Sequence, residues 1–102
     1  MKRPVVWSRD ALDDVKAQIA FIATHNPGAA RRVADRLRDV AATLGETATG
    51  RPGRVAGTYE KLVPRLPYVI AYALDDALTR QAVVILRVIH AARDWPPEEW
   101  PE

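Results

Sequence analysis

The tripeptide His25-Asn26-Pro27 separates two stretches that each carry one apolar face, and no other feature constrains the fold as strongly. Before it, Leu12, Val15, Ile19 and Ile22 recur at steps of three and four, the spacing of one buried helical face. Ser8 stands ahead of them as an N-cap, and Asp10 lies in the first turn, where the helix dipole favours negative charge. After the tripeptide, Ala30, Val33, Leu37, Val40 and Leu44 repeat the pattern. Asn26 caps this second helix and Pro27 begins it, at a position where a missing N–H costs nothing. Gly45 is expected to end it. So short a connection lays the two helices antiparallel, as a hairpin.

The rest of the chain reads as strands. Val5, Val6 and Trp7 form a short strand behind Pro4, and residues 45–57 are polar and loop-like. Three more strands are expected at 58–63, 68–74 and 81–90. The last contains Val83, Val84, Ile85, Leu86, Val88 and Ile89, a run so nearly continuous that both of its faces should be covered. The links at 64–67 and 75–80 are short enough for antiparallel hairpins. The expected fold class is therefore α+β in the order β-α-α-β-β-β, a helical hairpin packed on a mostly antiparallel four-stranded sheet. A length of 102 residues allows one domain, placed at 1–96, with an acidic tail at 97–102.

Composition narrows the chemistry. There is no cysteine, so thiol nucleophiles, disulfides and thiolate metal sites are excluded. The two histidines, His25 and His90, lie on different elements, and neither a metal site nor a cofactor is expected. Residues 50–54 (Gly-Arg-Pro-Gly-Arg) lack the Gly-Lys-Ser/Thr ending of a phosphate loop. Ser8 serves as a cap rather than as part of a Ser-His-Asp triad. No stretch approaches the ~20 apolar residues of a membrane span, and no apolar run follows Met1-Lys2-Arg3-Pro4, so a cytoplasmic protein with no membrane partner is expected.

The net charge is +2, but it is unevenly spread: residues 51–93 hold seven basic groups against three acidic ones, and residues 94–102 hold four acidic groups and no basic one. Arginine outnumbers lysine heavily, which suits bidentate pairing with carboxylates or phosphates. The sheet half gathers Arg51, Arg54, Lys61, Arg65, Arg87, His90 and Arg93. A metal-independent ribonuclease could use such groups, His or Lys to move protons and Arg to hold the charge developing on phosphorus. On an extended strand Arg87 and Ile89 face one way, Val88 and His90 the other. The simpler reading has Arg87 meeting the acidic tail or a strand neighbour, and His90 merely ending the strand. Helix two is rich in Ala and Arg, so its outer surface could receive a partner segment with acidic and apolar residues. Trp95 and Trp100 are expected to dock back on the body.

Several stretches together resemble one family: Trp7-Ser8, Asn26-Pro27-Gly28-Ala29-Ala30, Gly50-Arg51-Pro52-Gly53-Arg54-Val55, Tyr68-Val69-Ile70-Ala71-Tyr72, and the run from Ile85 through Arg87, His90 and Arg93 to Trp95-Pro96. They are similar to the RelE/ParE superfamily of type II toxin–antitoxin modules, and to its ParE-like branch in particular. The resemblance implies a growth-inhibiting, plasmid-stabilising toxin that poisons DNA gyrase. It also implies a ParD-like antitoxin that neutralises the toxin, commonly in a heterotetramer, and that alone contacts operator DNA. The alternative is a RelE- or YoeB-like ribosome-dependent messenger-RNA endoribonuclease, for which Lys61, Arg65, Arg87 and His90 are the catalytic candidates. No Tyr follows His90 and Lys61 is the single lysine of the sheet half, departures that count against cleavage and favour a toxin that is not itself an enzyme. Arg31, Arg38, Arg54 and Arg87 are the expected antitoxin-binding residues.

Overall fold

The computed structural model describes residues 3–75 and 81–90. The expected turn at 76–80, Arg93, Trp95, Trp100 and the acidic tail lie outside them. Two helices pack on one face of a five-stranded sheet: β1 (Val5–Trp7), α1 (Arg9–Ala23), α2 (Pro27–Glu46), β2 (Arg51–Pro52), β3 (Tyr59–Leu62), β4 (Tyr68–Asp75) and β5 (Ala82–His90). The sheet order is β1-β5-β4-β3-β2, with β1 parallel to β5 and every other pair antiparallel. The fold class is as expected, with one strand more. Arg51 and Pro52, read as loop, pair with Glu60 and Tyr59 as a two-residue edge strand. A proline fits there because an edge strand leaves one row of N–H groups unused.

Both helix starts follow the capping residues. Ser8 Oγ accepts the Ala11 N–H at 3.0 Å, and Asn26 Oδ1 accepts the Ala29 N–H at 3.0 Å. On α2, Val33, Leu37, Ala41 and Leu44 face the core, with Leu37 and Leu44 fully buried. Each of those two leucines contributes about 2 kcal/mol of burial. On α1 the buried residue is Ala11, while Leu12, assigned to the core from its spacing, is 45% exposed. Val15, Ile19 and Ile22 pack partly into the core as expected.

Gly45 does not stop α2. The helix continues to Glu46 and is capped at Thr47. Gly45 instead lets the chain before β1 approach: the Arg3 N–H donates to its carbonyl, and a Cβ there would stand 2.6 Å from the Arg3 oxygen. The glycine was selected by a close crossing rather than by a helix end.

Tyr68, Ile70 and Tyr72 on β4 and Val83, Ile85 and Val88 on β5 face the helices. The step from Ile85 to Val88 breaks strict alternation because Ala71 pairs with Arg87 while Tyr72 pairs with Ile85, leaving Leu86 as the extra residue of a β-bulge. On the opposite face, Ala71 and Ile89 are buried beneath Val55 of the loop that leads into β3.

Candidate functional site

Where β1 ends at Trp7, the outer edge of β5 passes to α1. The Ser8 N–H donates to the Ile85 carbonyl and Ser8 Oγ to the Leu86 carbonyl, each at 3.0 Å. One turn and a half along the helix, Asp14 reaches the same edge. Its carboxylate accepts from Arg87 Nε at 2.7 Å, from Arg87 Nη2 at 2.8 Å and from the Val88 N–H at 2.9 Å. The bulge at Leu86 aims Arg87 at this partner. Both side chains are largely shielded, 13% and 14% exposed. Arg87 therefore meets a carboxylate of α1, a partner the sequence did not point to; the acidic tail, which it did, lies outside the described residues.

A second carboxylate organises the helix-free face. Glu60 on β3 is 5% exposed. Its Oε2 accepts the Arg54 backbone N–H and Arg54 Nε, both at 3.0 Å, and Arg51 Nη2 lies 3.6 Å from Oε1. Burial pushes the Glu60 carboxyl up, but the two Arg54 hydrogen bonds and the charges of Arg54 and Arg51 outweigh it and hold the group below its ordinary 4.5. The loop between β2 and β3 is closed on itself as well, through Gly53 N–H to the Thr58 carbonyl and Thr58 N–H and Oγ1 to the Val55 carbonyl.

The four groups proposed for catalysis are spread over β3, the turn that follows it and β5. His90 sits edge-on to Tyr68, ring centroids 5.5 Å apart, and Tyr68 Oη reaches Gln18 of α1 at 3.4 Å. Burial raises the Tyr68 hydroxyl above its ordinary value, so it stays protonated at neutral pH. Lys61 is on β3, with β4 between it and Arg87, which at ordinary strand spacing separates them by about 10 Å. Its Nζ donates to Thr49 Oγ1 at 2.9 Å. Arg65 occupies the turn between β3 and β4 in the left-handed region, φ 68°. Among the described residues, no group of three or more His, Cys, Asp or Glu side chains gathers to hold a metal ion, and no helix is long and apolar enough to cross a membrane.

The four expected antitoxin anchors divide in two. Arg54 and Arg87 hold the carboxylates just described, so their charge is already answered within the chain. Arg38 pairs on the surface with Asp35 at 3.2 Å and Asp39 at 3.8 Å, and Arg31 is exposed on the outer side of α2. Asp14 and Glu60 were missed in the sequence. Asp14 was findable, since on a helical projection it borders the face formed by Ala11, Val15 and Gln18. Glu60 gives no such signal, because its partners come from a loop whose path only the structure shows.

The family model of the ParE toxin of the type II toxin–antitoxin system parDE matches residues 5–95. Toxin RelE2 of Caulobacter vibrioides is 42% identical over 90 residues, covering 87% of this chain and 96% of the relative. The Y4kP protein of Sinorhizobium fredii is 34% identical over 96 residues, covering 93% and 95%. Among solved structures, one described as the chromosomal ParDE TA system from P. aeruginosa superposes with a TM-score of 0.76 at 20% identity, covering 87% of this chain and 96% of that one. A YoeB/ParE toxin from Agrobacterium tumefaciens gives 0.58 at 15% identity, covering 85% and 97%. The chain belongs to the ParE toxin family of type II toxin–antitoxin systems.

Proposed function

We propose that this toxin acts in the cytoplasm by binding and poisoning DNA gyrase, and that a ParD-like antitoxin neutralises it. The observation that supports this reading over a nuclease is the state of Arg87. Its guanidinium is held by Asp14 through two hydrogen bonds, and Lys61, with β4 between the two strands, is engaged by Thr49 instead. A phosphoryl transition state needs a cation free to take its charge, and the two Asp14 hydrogen bonds commit Arg87 to an anion of the chain itself. The antitoxin partner is supported by the match to a structure described as a ParDE system, and a heterotetramer with it is part of the same proposal. The test is supercoiling by purified gyrase with increasing amounts of this chain, alongside induction in cells carrying a DNA-damage reporter. Stalled cleavage complexes and a rising reporter are expected; full supercoiling at large molar excess overturns the proposal.

The second reading, a metal-independent ribosome-dependent endoribonuclease, is favoured by the 42%-identical relative named RelE2. It requires that translating messenger be cut on induction with the DNA-damage reporter silent. It also requires that Arg87→Ala with His90→Ala, shown to be folded, abolish the cutting.

A further inference from the structure

The groove between α2 and the turn joining β3 to β4 has a composition that the fold itself does not use. Ala29, Arg32, Val33 and Arg36 of α2 and Leu66 of the turn enclose about 300 Å³. Val33 is 9% exposed and Leu66 packs against the main core, so the floor is apolar and anchored from beneath. The sides are cationic. Arg32 and Arg36 lie one helical turn apart, both are exposed, and neither takes part in an ion pair among the described residues. Arg65, next to Leu66 in the chain, is exposed and equally without an ion pair among them. The acids nearest in sequence, Asp35 and Asp39, are engaged by Arg38, and the first turn of α2 carries no acidic residue. Like charges one turn apart repel, and an anion placed between them relieves that repulsion.

We propose that this groove receives a short segment of the antitoxin in which an apolar side chain lies beside one or two carboxylates. The inference rests on the toxin–antitoxin reading above and names the surface and chemistry of that contact. The apolar side chain covers Val33 and Leu66, and the carboxylates lie between Arg32 and Arg36, where a guanidinium fork donates to a carboxylate in bidentate fashion. A peptide fits this combination better than RNA does: the groove lacks an aromatic platform for stacking bases, and an apolar floor offers nothing to a phosphodiester chain. These arginines are distinct from Arg54 and Arg87, whose charges are already paired.

The experiment is calorimetric titration of the full chain with the antitoxin encoded beside it. Wild type is compared with Arg32→Glu/Arg36→Glu, with Ala29→Glu, and with Arg9→Glu at the exposed start of α1. All four are checked by circular dichroism; the changed sites are exposed or half-buried, so the fold is retained. The double variant repels the carboxylates, and Ala29→Glu places an internal anion among the same arginines. Both are expected to lose roughly 30-fold or more in affinity, as desolvated charge pairs do, while Arg9→Glu stays within about threefold. Binding of both groove variants within about threefold of wild type overturns the proposal and leaves the toxin–antitoxin reading intact. No binding by wild type overturns that reading and the groove with it. A single-stranded RNA oligonucleotide that binds wild type and is lost in the double variant, while the antitoxin is retained, assigns the groove to nucleic acid and likewise overturns the proposal.

Discussion

Removing the Asp14 carboxylate is the most informative single perturbation of this fold. Asp14 satisfies three donors at 2.7–2.9 Å, two on Arg87 and the N–H of Val88. In Asp14→Ala the largely buried guanidinium, 13% exposed, loses its two hydrogen bonds to the Asp14 carboxylate, and the Val88 N–H loses its acceptor. Breaking a buried pair from one side costs about 3–5 kcal/mol, and the residual exposure here places the loss near 3 kcal/mol. The orphaned amide adds about 1 kcal/mol. For a domain whose whole stability is of order 5–15 kcal/mol, a loss of about 4 kcal/mol lowers the melting temperature by roughly 15–30 °C. Asp14→Asn keeps one acceptor but no charge, and costs about 2 kcal/mol. The companion Asp14→Leu/Arg87→Met removes both charges of the pair and recovers most of the loss, because neither member of it is left behind. Urea unfolding followed by circular dichroism reads all three. A loss below about 1 kcal/mol in Asp14→Ala, or a double variant no better than the single, refutes the account of Arg87 as an internally neutralised strut.

Three further outcomes follow from the same contacts. Glu60 has a folded pKa below its ordinary value, so its contribution to stability is present above pH 4.5 and is lost as pH falls through the depressed value. Glu60→Gln is expected to flatten that acid limb and to cost about 2 kcal/mol at pH 7, both measured by urea midpoints across pH 2–7. Gly45→Ala should destabilise by about 1–3 kcal/mol in thermal melts despite alanine's better helix propensity, because its Cβ meets the Arg3 backbone rather than a movable side chain. Ser8→Ala removes both the cap of α1 and the donor to Leu86, and should cost about 1–2 kcal/mol in the same melts.

Most of the architecture was legible because it depends on local signals. The caps Ser8 and Asn26, the apolar spacing of α2 and the long run in β5 each act over a few residues, and each was read correctly. The misreadings have one cause, contacts between distant segments. Leu12 has the right period but stays 45% exposed, lining a groove with Trp7, Val15 and Leu37. Gly45 resembles a helix stop, yet it is a crossing point for a segment some forty residues earlier in the chain. The strand at Arg51–Pro52 contains a proline and too few residues to carry a period, so only its partner β3 reveals it. The site suffered the same way. Arg54 and Arg87, expected to bind the antitoxin, hold Glu60 and Asp14 of the chain itself, partners that the reading of the sequence did not name.

The parallel pairing of β1 with β5 has a consequence for synthesis. Val5 to Trp7 are translated long before their ladder partners, Val83 to Ile85. The helical hairpin can form early from local signals, yet β1 and the edge of β4 that faces β5 lack partners until β5 has been made. A nascent chain that stops short of β5 therefore presents an apolar helix face and open strand edges, which are targets for proteases and chaperones. The sheet is thus completed only once β5 has been made, and the core between it and the helices closes with it.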